Sequence, residues 1–187
     1  MMNHASSQSD RTCCCAVAPP PEPVRPAPVS GAFDLIDHFG RAVNERSYGD
    51  RHLLLFFGFT HCAVVCPREL AKLERALGLL GPLASAIQPL YVTVDPARDD
   101  PGAMQRYLSQ FGAGFIGLTG TAEQVEAAKK SFRVFAEPVQ DAAAPGGYAV
   151  PHTAFAYFMA PGGRYKAHFS DSLDAEMVAQ RMRRHLG

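Results

Sequence analysis

The sequence predicts an α/β sandwich, a mixed central sheet flanked by helices, behind an unstructured tail. Three observations carry this expectation. The run His52-Leu-Leu-Leu-Phe-Phe-Gly58 is continuously apolar up to its glycine, the pattern of a strand buried on both faces. Strand-like and helix-like segments follow it in the order β-α-β-α-β-α-β-β-α. The chain has 187 residues, 47% of them apolar and 19% charged, enough to bury one core of ordinary size.

The elements follow in order. Residues 1–30 hold Pro19, Pro20, Pro21, Pro23, Pro26 and Pro28 with few bulky apolar side chains. Such a segment buries too little surface to offset its ordering entropy, so it reads as a disordered tail and semi-extended linker. The domain is expected over 31–187. Phe33, Leu35 and Ile36 suggest a short strand or turn, with a hairpin-like bend over 37–40. After the central strand over 52–58 and a loop to Cys66, a helix is expected from Pro67, where the missing N–H costs nothing. Leu70, Leu73, Leu77 and Leu80 mark its buried face, and Gly81-Pro82 stops it.

A second strand is expected over 89–94, ended by Asp95-Pro96. Asp99 or Asp100 caps a helix that begins at Pro101 and runs to about residue 110. Residues 115–118 form a short third strand. Thr121-Ala-Glu-Gln124 is a capping box that opens the next helix. Residues 153–159 and 165–169 are two strands joined by Pro161-Gly-Gly163, hence a hairpin. The last helix is expected from Asp171 or Ser172, with Met177, Val178, Met182 and Leu186 on one face. Arg181, Arg183, Arg184 and His185 stand near its C-terminus, as the helix dipole favours. Parallel strands joined through helices and closed by a hairpin and a helix describe a thioredoxin-like sandwich.

Lys+Arg and Asp+Glu are 18 each, a net charge of zero. That argues against phosphate neutralisation, so no nucleic-acid partner is expected. No apolar run approaches the ~20 residues a membrane span needs, and the first thirty residues lack the apolar core of a signal peptide. On these grounds alone the chain reads as soluble and unexported.

The cysteines divide into Cys13, Cys14 and Cys15 in the tail and a Cys62/Cys66 pair in the domain. The Cys62/Cys66 pair lies in the turn between the central strand and its helix, where α/β sheets gather ligand sites. A helix N-terminus stabilises a thiolate there, and two thiolates can close a disulfide or hold a soft metal. His152 lies 86 residues after Cys66, at the entrance to a later strand that would face the cysteine loop. Pro151, just before it, stands where thioredoxin-like proteins often have a cis-proline. Two sulfurs and one nitrogen suit Cu(I), and the imidazole also suits Cu(II). Zinc accepts the same set, though a structural zinc site normally has a fourth ligand.

These residues resemble a known family. Phe57-Gly-Phe-Thr-His-Cys62-Ala-Val-Val-Cys66-Pro67 is similar to the copper-binding loop of the Sco/SenC family. Val92-Thr-Val-Asp95-Pro96-Ala-Arg98-Asp99 is similar to its second signature. Phe115-Ile-Gly-Leu-Thr-Gly-Thr121 and His152-Thr-Ala-Phe155 fit as well, in order along the domain. The resemblance implies a thioredoxin-like metallochaperone that delivers copper to the CuA site of cytochrome c oxidase. Cys62, Cys66 and His152 would then be the ligands. The implied partners are the copper-bearing oxidase subunit or another copper chaperone, and the implied location is periplasmic or membrane-facing. The chain departs from the family pattern at Ala63-Val64, commonly Pro-Asp, and at Pro151, usually acidic. No stretch matches the family's usual N-terminal anchor. The lost acidic residues bear on docking and on tuning of the site, not on the ligands.

The alternatives are a thiol-disulfide oxidoreductase that uses Cys62 and Cys66, and a peroxidase. The first has no need of His152 and normally uses two residues, not three, between its cysteines. The second needs proton-handling neighbours that the sequence does not show. Cys62 and Cys66 read structurally are two small buried side chains. His61, beside Cys62, is expected to point elsewhere. Asp95 is a strand-end turn residue or an outer support of the site. Arg98 and Asp99 are expected to pair or cap locally, and His38 and His168 to be structural or superficial.

Overall fold

The structure is a computed structural model that describes residues 28–186. The strands are β1 (Asp34–Asp37), β2 (Ala42–Asn44), β3 (His52–Gly58), β4 (Ile87–Thr93), β5 (Ile116–Thr119), β6 (Val139–Gln140), β7 (Tyr148–Ala149), β8 (Phe155–Ala160) and β9 (Arg164–Ser170). The helices are α1 (Val65–Leu80), α2 (Pro101–Leu108), α3 (Ala122–Phe132) and α4 (Ala175–Leu186). Seven strands form one mixed sheet in the order β2-β1-β5-β4-β3-β8-β9. β3, β4 and β5 run parallel, while β8 pairs antiparallel with β3 and β9 antiparallel with β8, closing that side of the sheet. This is the expected thioredoxin-like sandwich.

β3 explains the layering. Side chains alternate across a strand, so Leu53, Leu55 and Phe57 face one side and Leu54 and Phe56 the other. The first set packs with Val125 and Phe132 of α3. The second packs with Leu70, Leu73 and Leu77 of α1 and with Val178 and Met182 of α4. All five β3 side chains are fully buried, which is why the strand has no polar alternation to show.

Local signals behave as expected at several termini. Thr121 and Gln124 form a reciprocal capping box on α3. Asp100 accepts the Ala103 N–H at the start of α2, so the cap is Asp100 and not Asp99. Pro161-Gly-Gly163 turns β8 into β9, with positive φ at Gly162 and Gly163.

Four expectations are corrected. α1 starts at Val65, so Pro67 is its third residue and Cys66 lies inside the first turn. Proline is tolerated there because the first-turn N–H groups have no intrahelical acceptor. α4 starts at Ala175, with the Asp174 carboxyl accepting the Met177 N–H. Its buried face is therefore Ala175, Val178, Ala179 and Met182, and Met177 is exposed. A two-stranded ribbon, β6–β7, stands where no element was expected. No cis peptide bond occurs among the described residues, so the bond to Pro151 is trans.

Most of the expected tail lies outside the described residues. At its described end, Val29 packs against the core and Ser30 donates its N–H to the Ser131 carbonyl.

Candidate metal centre

β3 ends at Gly58, and a turn closed by the Cys62 N–H on the Phe59 carbonyl leads into α1. α1 has no side-chain oxygen cap. The Cys62 sulfur takes that place and accepts the Cys66 N–H at 3.4 Å. An anion is favoured at this position by the free N–H groups and by the helix dipole.

The two thiols are thereby made unequal. Cys62 is partly exposed, and its pKa is drawn down to about 5 by the hydrogen bond it accepts from the Cys66 thiol, against some burial, with help from the N–H groups of Val64, Val65 and Cys66. Cys66 is buried, and both that hydrogen bond and burial hold its thiol far above its ordinary range. The resting pair is a Cys62 thiolate and a Cys66 thiol. Iodoacetamide should therefore label Cys62 at a rate that rises through about pH 5 and is level by pH 7, while Cys66 stays unlabelled in the folded chain. Mass spectrometry of the labelled peptides across pH checks this. A Cys62 midpoint near the ordinary thiol value would contradict it.

His152 precedes β8 in an isolated bridge with Ala136. Its Nδ1 lies 2.8 Å from the Val150 carbonyl, which can only accept, so Nδ1 carries the proton. In the neutral ring Nε2 is then the nitrogen with the lone pair, and it lies 3.9 Å from the Cys66 Sγ. A carbonyl on Nδ1 is also the support that metal-binding histidines commonly use. The Phe59 ring meets the imidazole edge-on, at 5.8 Å between centroids. A groove of about 380 Å³ opens over the pair, lined by Phe59, Cys62, Val65, Val150, Pro151 and His152.

The structure therefore brings Cys62 to Cys66 and Cys66 to His152. Among the described residues, no three His, Cys, Asp or Glu side chains stand close enough together to hold a metal ion as they are. The donor chemistry nonetheless suits a soft ion: a thiolate at the helix end, a second thiol behind it and an imidazole that can offer Nε2. His61 turns its Nδ1 to Thr60 Oγ1 at 3.1 Å and toward Asp99 Oδ1 at 3.8 Å. Cys13, Cys14 and Cys15 lie outside the described residues.

The loop after β4 supports the site, in a way that corrects the expected Arg98–Asp99 pairing. Asp99 is fully buried and accepts from Thr60 N at 3.0 Å, Thr60 Oγ1 at 2.6 Å and Thr93 Oγ1 at 2.7 Å. It pins the start of the cysteine loop. Arg98 pairs instead with Asp95, which is 5% exposed and also accepts the Tyr148 hydroxyl at 3.0 Å. Sequence reasoning missed Tyr148 altogether. Its one signal was a lone aromatic in a Gly/Ala-rich stretch four residues before His152.

A sequence profile of the SCO1/SenC family matches residues 21–187. The mitochondrial SCO2 homolog of Homo sapiens is 38% identical over 170 residues, 88% of this chain and 63% of that protein. The mitochondrial SCO2 homolog of Danio rerio is 38% identical over 160 residues, 83% of this chain and 56% of that protein. The chain thus spans about three-fifths of the length of these relatives. Among solved structures, Arabidopsis thaliana ScoI with copper bound superposes with TM-score 0.79 at 28% identity, covering 85% of this chain and 98% of that one. Yeast Sco1 with copper bound gives TM-score 0.76 at 34% identity, covering 84% and 88%.

Proposed function

The chain belongs to the SCO1/SenC family, and from that premise we propose that it is a copper metallochaperone whose cargo is held by Cys62, Cys66 and His152. The observation that carries the reading is the Nε2 lone pair of His152 aimed at Cys66, behind a Cys62 sulfur stabilised at a helix N-terminus. A dithiol reductase has no use for that imidazole.

The chemistry follows from the inequality of the sulfurs. The Cys62 thiolate, partly exposed beside the groove, makes the first contact with an incoming ion. The ion's charge then favours loss of the Cys66 proton, since a thiol ligates as the thiolate. Two thiolates suit Cu(I), and His152 adds the nitrogen that extends the set to Cu(II). Drawing the three donors together closes the gap that the metal-free arrangement leaves. Release runs in reverse: an acceptor's thiols displace Cys62 first, because it is the reachable sulfur. A Cys62–Cys66 disulfide removes both sulfur ligands at once, so redox state gates delivery.

The acceptor that fits the family resemblance is the CuA site of a cytochrome c oxidase subunit or another copper chaperone, and the compartment proposed with it is periplasmic or membrane-facing. Among the described residues, no helix is long and apolar enough to cross a membrane. The groove is lined mainly by apolar groups, Val65, Ala149, Pro151 and Ala154 among them, with the Asp171 carboxylate as its acidic member, a surface for such an acceptor.

Thiol–disulfide exchange remains a second reading, favoured by the low Cys62 pKa of about 5. Titration of Cu(I) into the chain with Cys13, Cys14 and Cys15 changed to Ser separates the two. The reduced chain should take up one copper, and the chain oxidised at Cys62 and Cys66 none. Uptake that is indifferent to that oxidation, or absent in the reduced chain, rejects the copper reading and leaves exchange in its place.

A further inference from the structure

The cysteine loop and the histidine segment come from distant parts of the chain. Cys66 Sγ and His152 Nε2, 3.9 Å apart, are too weak a contact to hold two loops in register. One side chain joins the two loops from behind. The Arg98 guanidinium lies over the Tyr148 ring, 3.6 Å from its centroid, and also over the Phe59 ring, at 5.7 Å. Tyr148 opens the segment that ends in His152, and Phe59 opens the cysteine loop and touches the imidazole. Arg98 also donates from Nη1 to the Tyr148 carbonyl at 3.3 Å and from Nε to Asp95. Asp95 completes the ring by accepting the Tyr148 hydroxyl at 3.0 and 3.2 Å.

We propose that Arg98, clasped by Asp95 and Tyr148, is a positioning residue that sets where His152 stands relative to Cys62 and Cys66. The inference rests on the ligand set proposed above. Its physical content is that a single tight turn fixes both halves of the site. That turn is closed by the N–H groups of Arg98 and Asp99 on the Asp95 carbonyl. Asp99 holds the Thr60 end of the cysteine loop, and Arg98 holds the 148–152 segment. At its far end the segment is tied to the core by the buried Val150 and to the chain after α3 by the His152–Ala136 bridge and the Thr153 N–H on the Phe135 carbonyl. At its Tyr148 end, β6 and β7 are two residues each and pair only with one another, which leaves that end to Arg98 and Asp95. A two-stranded ribbon this short is marginal on its own. A planar, multiply donating guanidinium stacked on two rings is what an ammonium could not replace.

The test uses the full chain with Cys13, Cys14 and Cys15 changed to Ser and reads two quantities. Amide hydrogen exchange of the reduced, metal-free protein reports whether the segment is held. Nitrogen coupling in the Cu(II) electron spin resonance spectrum reports whether His152 reaches the ion. Arg98→Met keeps the aliphatic stem and loses the guanidinium. It should speed exchange over residues 148–153 by about tenfold, with β3 and β4 unchanged. It should also remove the imidazole coupling while the thiolate-to-copper absorption persists. Arg98→Lys should fail to restore either readout. If Arg98→Met also loses protection in β3, Tyr148→Phe, which deletes only the hydroxyl on Asp95, decides by the same two readouts.

Unchanged exchange over 148–153 overturns the clasp, as does intact nitrogen coupling in a chain whose segment has loosened. Absence of nitrogen coupling in the parent chain, lost no further in His152→Ala, is a different failure. It rejects the ligand set itself, and the positioning role falls with it.

Discussion

Cys66→Ser should cost the reduced chain its tight copper site. The expected drop in Cu(I) affinity exceeds the roughly 100-fold that loss of a mere supporting group brings. The serine hydroxyl is nearly the same size, so the buried pocket between β3 and α1 stays filled. What disappears is a soft donor, and a hydroxyl is a poor substitute for thiolate toward Cu(I). Cys62→Ser should do the same, and it should leave the Cys66 N–H at the start of α1 facing a weaker acceptor. His152→Ala should separate the oxidation states. Cu(I) keeps its two sulfurs and is weakened less, while Cu(II), which favours imidazole, loses its site. Competition titrations with a Cu(I) chelator, together with the thiolate-to-Cu(II) absorption, measure all three. Equal Cu(I) affinity in Cys66→Ser would remove Cys66 from the ligand set.

Asp99→Ala should be among the most destabilising single changes in the domain. Its carboxyl is fully buried and satisfies three donors, Thr60 N, Thr60 Oγ1 and Thr93 Oγ1. Alanine strands the buried Thr93 hydroxyl and takes the acceptor from the Thr60 N–H, while Thr60 Oγ1 keeps only His61 Nδ1, at a cost of about 2–4 kcal/mol. For a domain of this size that is a fall in Tm on the order of 10 °C. Asp99→Asn retains one acceptor oxygen and should lie between. Urea unfolding reads the difference as a shift in midpoint at unchanged slope. Since the same carboxyl holds Thr60, the surviving folded protein should also show faster exchange at the start of the cysteine loop. A change under about 1 kcal/mol would mean that the Thr60 and Thr93 groups find water instead.

The sheet and the candidate ligands were legible in the sequence for different reasons. β3 announced itself because a strand covered on both faces cannot hide its composition, and its bounds at His52 and Gly58 come out as read. The capping box at Thr121 and the turn at Pro161-Gly-Gly163 are local chemistry, written in three or four adjacent residues. The start of α4 was misplaced because Asp171, Ser172 and Asp174 are all competent caps, and only packing of Val178 and Met182 under the sheet selects the last. β6 and β7 were invisible because a two-residue strand carries no period. Cys62 and Cys66 could be proposed from residue type and position in a strand-to-helix turn, and His152 from its place at the entrance to a later strand facing that turn. Their supports could not. The roles of Asp95, Arg98 and Asp99 depend on which way each of three neighbouring charged side chains turns, and Tyr148 enters through contacts with Asp95 and Arg98, 53 and 50 residues away in sequence. Periodicity and spacing report an element's own face and never its partner across the fold.

The proposed ligand set can be read directly by X-ray absorption at the copper edge. The sample is the reduced chain with Cys13, Cys14 and Cys15 changed to Ser, loaded with one equivalent of Cu(I). The expected spectrum shows two sulfur scatterers at a thiolate distance and one imidazole, with the imidazole gone in His152→Ala. A first shell with three or more sulfurs, or the same imidazole signal persisting in His152→Ala, would contradict a site built from Cys62, Cys66 and His152.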